Sequence, residues 1–295
     1  MRVFITGGTG YVGAHIVREL RALGDEVVVL TRDKQKSVAI QDKLGATLVE
    51  GSLESPDSYQ ATLENCDACI HNAILWDEEP TELQLKDPRA SIELFEAAAN
   101  AGVKQFIYTS SVAVHRPFKM SMSEADKLNP TDMYGATKAA TEVLLTALSY
   151  QHEMRFNIIR PGPVIGRPAL DGIAHNCDRR FMEFAILAAQ NADITVRRGD
   201  ARQFIDVNDL AKAFRAVLQG KLNRETFIAV SRNMTSWEDI ARAVIKNEAS
   251  TSRVILGDAA DPHSFNVDKI EELLGLAFDS TDAMSDHIRH LRSRV

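Results

Sequence analysis

Cysteine is scarce in this 295-residue sequence, which contains only three. No stretch of about 18 consecutive apolar residues occurs, so we expect no transmembrane helix and no membrane partner. Basic residues are not in excess, since 34 Lys and Arg stand against 41 Asp and Glu, a formal net charge of −7. This balance argues against a general nucleic-acid-binding protein. The first residues also lack a basic or apolar leader, so we expect no signal peptide and predict a cytoplasmic location.

Two of the three cysteines have a spacing that suits a metal or thiol exchange. Cys66 and Cys69 form a C-x-x-C pair, and His71 lies close by in sequence. A fourth ligand is missing nearby, and buried thiols commonly behave as small apolar side chains. We therefore predict a turn at Cys66, a strand that contains Cys69, and no metal.

The first thirteen residues carry the strongest signal in the chain. The short apolar run Val3–Ile5 is followed by glycines at G-x-x-G-x-x-G spacing and then by apolar residues at helical spacing. A strand, a glycine turn and a helix in this order suit a diphosphate, because the backbone can approach it closely and the helix start presents free N–H groups. The predicted cofactor contacts in this segment are Gly7, Gly10, Tyr11, Val12 and Gly13.

Predicted strands and helices alternate through the first 160 residues. The apolar runs of these strands do not alternate with polar residues, which is typical of a parallel sheet covered on both faces. The pattern predicts an α/β fold, a doubly wound parallel sheet of the Rossmann type, with residues 1–160 as the dinucleotide-binding domain. Strands are predicted at 2–6, 26–31, 46–50, 67–72, 104–110 and 155–160, and helices at 12–23, 35–44, 57–64, 88–101 and 133–151.

The regular alternation of strands and helices ends after Arg160, where a loop rich in proline and glycine begins. We predict a smaller, mostly helical substrate-binding region over 161–295, which is discontinuous because part of 200–230 returns to the sheet. Its predicted helices cover 178–190, 207–218 and 267–274, and a further helix that Thr235 or Ser236 would cap runs to about 246. Its predicted strands cover 194–197 and 226–230.

The end of the second strand bears on the choice of cofactor. Thr31 rather than an acid ends this strand, and Arg32 follows it. An acid here accepts hydrogen bonds from the ribose of NAD, whereas an arginine suits the extra phosphate of NADP. We predict NADP, bound through Arg32. Asp33 keeps NAD open, and its other interpretation is a cap of the next helix.

A tyrosine and a lysine stand four residues apart at the start of the fifth helix, in Tyr134-Gly-Ala-Thr-Lys138. Residues at this spacing share a helix face, so the ammonium lies beside the phenol and favours its ionised form. Proton exchange with a substrate hydroxyl then becomes practical at neutral pH. Ser110 and Ser111 end the fifth strand, at the edge where doubly wound sheets bind ligands, and could hydrogen-bond the substrate oxygen.

These motifs together resemble the extended short-chain dehydrogenases/reductases of the NAD-dependent epimerase/dehydratase family, over nearly the whole chain. Besides the glycine turn and the tyrosine–lysine pair, the resemblance rests on five segments. They are His71-Asn-Ala73, Tyr108-Thr-Ser-Ser111, Arg160-Pro-Gly-Pro-Val-Ile-Gly166, Arg202-Gln-Phe-Ile-Asp-Val-Asn-Asp-Leu-Ala211, and Phe265-Asn-Val-Asp-Lys269 with Leu274-Gly275.

The resemblance implies roles for individual residues. Tyr134 is similar to the family's general acid/base, and Lys138 to the lysine that binds the nicotinamide ribose and tunes the tyrosine. Ser111, with its neighbour Ser110 as the alternative, matches the serine that holds the substrate oxygen. Further cofactor contacts implied by the resemblance are Ala73 and Pro161.

Two further residues are candidates for substrate binding. Arg202 stands where nucleotide-sugar members of the family place an arginine on the substrate diphosphate, and its alternative role is an ion pair with Asp206 or Asp209. His115 stands where a tyrosine is usual, and it either reaches the substrate or packs.

Departures from the family pattern narrow the activity. Thr31 replaces the acid of members that prefer NAD, and Ser52 replaces an aspartate near the adenine. Val112 and Ala113 stand where the family's dehydratases carry an acidic pair. Elimination needs an extra acid and base, so a sugar 4,6-dehydratase is not expected.

Three functions remain open at this point. We predict an NAD(P)-dependent oxidoreductase that passes hydride between nicotinamide and a ketone or secondary alcohol. The alternative is a nucleotide-sugar epimerase with tightly bound cofactor, and the third is a nucleotide-sensing regulator without catalysis, against which an intact Ser-Tyr-Lys set argues. The resemblance also implies a homodimer that pairs through the helices at 88–101 and 133–151. Loops at 74–86, 116–130 and 167–180 are expected to shape the substrate pocket.

Overall fold

A parallel sheet forms the centre of the protein in the computed structural model, which describes residues 1–75 and 85–291. In chain order its strands are β1 (Arg2–Thr6), β2 (Glu26–Thr31), β3 (Thr47–Glu50), β4 (Ala68–His71), β5 (Gln105–Thr109), β6 (Arg155–Pro161) and β11 (Glu225–Ala229). Across the sheet the order is β11-β6-β5-β4-β1-β2-β3, and every pair is parallel. This is the predicted doubly wound topology, with its switch point between β1 and β4.

Alternate residues of each central strand pack against opposite layers of helices. The helices are α1 (Tyr11–Ala22), α2 (Lys34–Leu44), α3 (Gln60–Leu63), α4 (Lys86–Asn100), α5 (Met133–Ser149), α6 (Arg179–Ala189), α7 (Val207–Gln219), α8 (Trp237–Asn247), α9 (Asp268–Leu274) and α10 (Thr281–Leu291). In β1, Val3 and Ile5 belong to the apolar cluster that contains α1 and α7 side chains. Phe4 belongs to the cluster on the other face, with Leu94 of α4 and Leu145 of α5. Because successive side chains of a strand point to opposite faces of the sheet, β1 contributes to the cores on both sides of it.

The predicted elements of the first 160 residues are present, each within two residues of its predicted ends, with one exception. The predicted helix at 57–64 is divided into a 3₁₀ turn, Pro56–Ser58, and the short α3. Tyr59 separates them, because its N–H returns to the carbonyl of Pro56 at 3.0 Å rather than continuing the helix.

The chain after β6 follows the predictions only in part. Residues 225–229 return to the sheet as its edge strand beside β6, and a separate apolar cluster forms around Phe181, Phe204 and Trp237. The predicted α6, α7, α8, α9 and β8 (Ile194–Arg198) are present. Elements that the sequence pattern did not predict are β7 (Val164–Ile165), β9 (Ala201–Arg202), β10 (Ile205–Asp206), β12 (Thr235–Ser236), β13 (Val254–Ala259) and α10.

Most of the unpredicted strands are only two residues long, which is too short for a periodic pattern. β13 pairs with β8 outside the main sheet, and its apolar residues Ile255 and Leu256 are exposed. Among the described residues, no helix combines the length and the apolar character required to cross a membrane.

Candidate active site

The glycine turn after β1 is held by contacts that leave no room for side chains. A Cβ added at Gly13 would lie 2.0 Å from the carbonyl oxygen of Gly7, and one at Gly7 would lie 2.7 Å from the amide nitrogen of Ala73. Gly7 also has a φ of +68°, which favours glycine. α1 begins directly after this turn, and its first residue, Tyr11, follows Gly10 without a side-chain cap. The N–H groups of the helix start therefore have no side-chain cap, and Gly10, Tyr11 and Val12 line the cleft that the turn borders.

This cleft, which we call the nucleotide cleft, has a volume of about 1000 Å³ and runs along the carboxyl ends of the strands. Nine of the ten residues that the sequence predicts as cofactor contacts line it. They are Gly7, Gly10, Tyr11, Val12, Arg32, Ala73, Tyr134, Lys138 and Pro161. The tenth, Gly13, lies behind the turn against Gly7. Its role is to permit the close approach of α1 to the turn.

The turn after β2 contains Arg32, whose cationic side chain can bind a ligand in the cleft. Thr31 is buried, and its hydroxyl lies 2.6 Å from the Ser37 hydroxyl. The Asp33 side chain caps α2, accepting from the Lys36 N–H at 3.1 Å, and this hydrogen bond lowers the pKa of Asp33. Arg32 is exposed at the rim of the nucleotide cleft and makes no hydrogen bond or ion pair within 1–75 and 85–291. It is therefore available to an anion in the cleft.

The start of α5 brings Tyr134 against the segment after β5. Asp132 caps the helix by accepting from the Gly135 N–H at 2.9 Å. A Cβ at Gly135 would lie 2.6 Å from the carbonyl oxygen of Ala113, so the glycine lets the helix start approach this segment. Ser111 begins the 3₁₀ turn Val112–His115, and its hydroxyl accepts from the Ala113 N–H at 3.1 Å. The sequence analysis did not identify the role of Gly135, because the close approach arises only in the folded chain.

Tyr134 and Lys138 lie on the same face of α5, but Tyr134 is exposed to the cleft whereas Lys138 is buried. Tyr134 is 38% exposed in the cleft, but the protein atoms around its hydroxyl still raise its pKa, while a hydrogen bond with Ser111 lowers it. Lys138 is buried, and its ammonium donates to the carbonyl of Thr109 at 2.9 Å. Burial lowers the pKa of Lys138, which Asp87 and Glu142 oppose. At neutral pH the phenol is thus protonated and able to act as an acid.

A buried polar network lies beneath Lys138. The two ring nitrogens of His71 lie 2.7 Å from the Thr6 hydroxyl and 2.8 Å from the Ser91 hydroxyl. Burial, with a contribution from the Lys138 charge, lowers the pKa of His71 to about 3. Asp87 accepts from the Leu75 N–H at 2.7 Å, and burial raises its pKa. The sequence analysis missed Asp87, which resembles an ordinary polar residue of a helix start.

Ser110 and Ser111 differ in their access to the cleft. Both are buried, and both line the nucleotide cleft. The Ser110 hydroxyl has no hydrogen-bond partner in the described part of the chain. Ser111 also lines a second cleft of about 690 Å³, so it is the serine that faces both spaces.

We call the second space the substrate cleft. It meets the nucleotide cleft at residues shared by both linings, which are Ser111, Tyr134, Gly162, Val164 and Asn176. Aromatic rings form one wall, where the centroids of Phe118 and Phe265 lie 5.2 Å apart and His263 lies 5.1 Å from Phe118. Segments 116–118 and 176–180 belong to two of the loops that the sequence predicts to shape this pocket. Residues 76–84 of the third loop lie outside the described residues.

Arg202 lies in the substrate cleft, but the ion-pair partner expected from the sequence is wrong. Its guanidinium pairs with Asp200, whereas Asp206 caps α7 and Asp209 pairs with Lys212. Arg180 and Asp178, which the sequence analysis did not single out, extend this ion pair into a cluster of four charged groups. Arg180 pairs with Asp178 at 2.8 Å and with Asp200 at 3.1 Å. Two arginines and Asp178 therefore line this end of the cleft, and the buried Asp200, which pairs with both arginines, brings the net charge of the four groups to zero.

His115 does not line either cleft. It is 1% exposed, and its Nε2 lies 2.9 Å from the guanidinium of Arg160. Arg160 also forms a buried ion pair with Glu142, at 2.6 Å. Of the two roles considered from the sequence, the structure therefore corresponds to packing, and the substrate contact is not retained.

Cys66 and Cys69 are both buried, with Cys66 between α3 and β4 and Cys69 within β4.

Known proteins resemble this chain in sequence and in fold. A model of the NAD dependent epimerase/dehydratase family matches residues 3–229. The photosystem II assembly factor Ycf39 of Synechocystis is 34% identical over 37% of this chain and 33% of its own length. A UDP-glucose 4-epimerase of Vibrio cholerae is 29% identical over 56% of this chain and 52% of its own length.

A farnesyl-dihydroquinoline-oxide ketoreductase of Stigmatella aurantiaca is 31% identical, over 49% of this chain and 45% of its own length. The matches therefore span about half the length or less of these three relatives. A solved UDP-glucose-4-epimerase of Stenotrophomonas maltophila, with bound NAD and formylated UDP-arabinopyranose, has a TM-score of 0.82. It is 22% identical, and the alignment covers 100% of this chain and 98% of that one, which shows a shared fold.

Proposed function

The chain belongs to the NAD-dependent epimerase/dehydratase family, and from that premise we propose that it is an NADP(H)-dependent reductase or dehydrogenase. Its substrate is a ketone or the corresponding secondary alcohol, and hydride passes between that carbon and the nicotinamide. The observation that carries this proposal is the meeting of the two clefts. Ser111 and Tyr134 line both of them, so a hydroxyl and a phenol stand where a substrate carbonyl would face a nucleotide cofactor.

The residues of the nucleotide cleft fit a dinucleotide. The turn is closed to side chains at Gly7 and Gly13, so backbone alone faces the phosphates there. The start of α1 carries the free N–H groups that attract an anion. Ser110 supplies a buried hydroxyl, without a hydrogen-bond partner among the described residues, at the inner end of the cleft.

Each member of the Ser-Tyr-Lys set has a separate task in this proposal. Tyr134, protonated at neutral pH, gives its proton to the carbonyl oxygen during reduction and takes it back in the reverse direction. Ser111 hydrogen-bonds the same oxygen and holds it beside the phenol. Lys138 binds the nicotinamide ribose, and its positive charge stabilises the phenolate that forms. When bound, the nicotinamide supplies or accepts the hydride.

The turn after β2 supports NADP rather than NAD as the cofactor. The carboxylate of Asp33 is engaged in capping α2, and Thr31 hydrogen-bonds inside the protein. Arg32 remains as the exposed cation on the rim of the cleft, with Lys36 also in the lining. A guanidinium suits the extra phosphate of NADP through charge-assisted hydrogen bonds.

A nucleotide-sugar epimerase is the second candidate, and Arg202 in the substrate cleft favours it. The same Ser-Tyr-Lys set would oxidise a sugar hydroxyl and return the hydride to the opposite face. The charge of the cleft weighs against this candidate, because Asp178 and Asp200 already pair with Arg180 and Arg202. A diphosphate would have to displace those carboxylates.

The two candidates differ in their consumption of cofactor. We expect the protein to oxidise NADPH in the presence of some members of a panel of ketones, faster than it oxidises NADH. In parallel, the protein is incubated with UDP-glucose without added cofactor, and UDP-galactose is sought by chromatography. Epimerised sugar without net NADPH oxidation would replace the reductase by the epimerase. Tight NADPH binding without either reaction across the panel would favour a regulator.

We also propose a homodimer that pairs through α4 and α5. The outer side of α5 exposes Val143 by 60% and Leu144 by 41%, although both are apolar. A second copy of the same helices could cover them in a four-helix interface. Light scattering should give twice the chain mass, and Val143→Glu should give a monomer.

A further inference from the structure

We propose that His175, Cys177 and His287 bind one Zn²⁺ ion beside the glycine turn. One imidazole nitrogen from each histidine and the thiol sulfur all lie within 4.8 Å of one another. His175 and Cys177 belong to the loop between β7 and α6, and His287 belongs to α10. Three potential ligands therefore converge from two distant parts of the chain. This inference does not depend on the reaction proposed above.

The surroundings of His287 are those of a metal ligand. The side chain is fully buried, and its Nε2 has no hydrogen-bond partner within the described ranges. Its Nδ1 lies beside both backbone groups of Gly166: the N–H is 3.2 Å away and can donate to it, and the carbonyl oxygen is 3.3 Å away and can accept from it. Binding of a metal at Nε2 selects the second arrangement, in which Nδ1 carries the proton. In that tautomer Nε2 presents a lone pair, and a backbone carbonyl fixes the ring, which is the usual outer contact of a metal-bound histidine.

His175 approaches His287 edge to face, with ring centroids 4.9 Å apart and an interplanar angle of 74°. A third imidazole, His290 of α10, has its centroid 5.8 Å from that of His175. The thiol of Cys177 completes a set of nitrogen and sulfur donors. Imidazole and thiolate are the ligands that Zn²⁺ prefers, in tetrahedral geometry with water at any position that the protein leaves open.

Closing the site requires a small movement of the loop. Zn–N bonds of about 2.0 Å and Zn–S bonds of about 2.3 Å place tetrahedral ligand atoms roughly 3.5 Å apart. The observed limit of 4.8 Å is wider, so ligand atoms would move inward by about 1 Å. His175 and Cys177 lie outside helices and strands, where changes of backbone and rotamer are least costly.

The site adjoins the nucleotide cleft, so bound metal would fix a wall of that cleft. The ring centroid of His175 lies 5.1 Å from that of Tyr11, the first residue of α1. The Tyr11 hydroxyl donates to the Gly166 carbonyl at 2.8 Å, the same carbonyl that faces His287. Asn176, between the two loop ligands in sequence, lines both clefts. Zn²⁺ would therefore join α10 to this loop, whose His175 contacts the first residue of α1.

Cobalt titration gives a direct test with the full chain. The protein is purified without an affinity tag, reduced, freed of metal and titrated with Co²⁺ under anaerobic conditions. We expect one Co²⁺ per chain, visible d–d bands of tetrahedral cobalt and a thiolate-to-cobalt charge-transfer band, all removed by added Zn²⁺. We also expect Zn²⁺ to raise the melting temperature of the metal-free protein, because it binds the folded state.

Two ligand variants and two controls identify the site. Cys177→Ser should lose the charge-transfer band, and His175→Ala should weaken Zn²⁺ binding by about 100-fold or more, beyond the loss typical of an outer contact. Cys66→Ser and His152→Ala change the same residue types elsewhere and should behave as wild type. The proposal is overturned if the wild type binds no stoichiometric metal, or if both ligand variants keep full affinity and the complete spectrum. Melting curves of the metal-free variants verify that each is folded.

Discussion

The nucleotide cleft and the substrate cleft meet at Tyr134, but they are assembled in different ways. The nucleotide cleft takes most of its lining from the segments that follow β1 to β6, one after another along the chain, together with Tyr134 and Lys138 of α5. The substrate cleft combines segments near Phe118, Asp178, Arg202 and Phe265, which no regular spacing connects. A parallel sheet brings the carboxyl ends of its strands to one edge, so local motifs are enough to place the first cleft. The second depends on how loops pack.

The two clefts also differ in electrostatics. The cationic Arg32 of the nucleotide cleft has no protein partner among residues 1–75 and 85–291. In the substrate cleft, Arg180 and Arg202 are held by Asp178 and Asp200. A free anion is therefore expected to bind strongly on one side of Tyr134 and weakly on the other.

Tyr134→Phe tests the point where the clefts meet and has the largest expected effect. Removal of the phenolic oxygen takes away the proton donor but leaves the ring that lines both spaces. Turnover should fall about 1,000-fold, within the range of general acid–base catalysis. NADPH affinity, measured by fluorescence titration, should change little.

Tyr150→Phe is the matched control, since Tyr150 follows the end of the same helix and is 70% exposed. It should retain wild-type turnover. If Tyr134→Phe kept more than about a tenth of the activity, the phenol would not be the acid, because general acid catalysis contributes at least about 100-fold.

Arg32→Ala tests whether the Arg32 side chain in the nucleotide cleft binds the extra phosphate of NADPH. Loss of a charge-assisted contact to the extra phosphate should weaken NADPH binding by roughly 2 kcal/mol, or about 30-fold. NADH lacks that phosphate, so its affinity should change little. Isothermal titration with both nucleotides measures the difference.

Lys34→Ala provides the control for general charge, because Lys34 begins α2 two residues after Arg32 but does not line the cleft. It should leave the preference unchanged. Equal losses for NADPH and NADH in Arg32→Ala would remove the case for NADP.

His71 allows the interior below the nucleotide cleft to be tested by pH. Its pKa in the folded protein is about 3, below the ordinary value of 6.5, so the unfolded chain binds a proton first as pH falls. The stability that this neutral histidine contributes is complete above pH 6.5 and is lost between 6.5 and about 3. For this single group, the free energy of unfolding falls by about 1.4 kcal/mol for each unit by which the pH is lowered in this range.

Urea unfolding of the wild type and His71→Asn, at about pH 6.5 and about pH 5, measures this slope. The variant should lose less stability on acidification than the wild type. His152→Asn, at a partly exposed histidine beside Glu96, should keep the wild-type slope. Equal slopes for the wild type and His71→Asn would contradict the strong depression of this pKa.

The sheet and its helices could be predicted from sequence because each signal is local. Val3–Ile5, the glycine turn and the helical spacing after it each follow from nearby residues, and the sheet order then brings Gly7, Ala73 and Lys138 into one cleft. The need for Gly135 could not be predicted in this way. It arises from a contact with Ala113 across two elements, which no spacing records.

Interpretations of single polar residues were less successful. Arg202 was expected to pair with Asp206 or Asp209, which follow it in sequence, but the turn before β9 brings Asp200 to it instead. For His115 the sequence left open whether it reaches the substrate or packs, because its partner Arg160 comes from β6. Partners of this kind are set by tertiary packing rather than by neighbours in the chain.

Arg202→Gln gives the smallest expected effect and separates the two candidate functions. If the substrate is a neutral ketone, the guanidinium serves mainly its pair with Asp200, so KM should change by less than about threefold, the scale of a partly exposed ion pair. Arg253→Gln, at the exposed pair with Asp193, provides the reference for a structural arginine and should match it within error. A substrate diphosphate held by Arg202 would instead raise KM by about tenfold or more, since hydrogen bonds between charged groups are worth at least about 1.5 kcal/mol. With that outcome the electrostatic contrast between the clefts would disappear, because the arginine would exchange Asp200 for the ligand on binding.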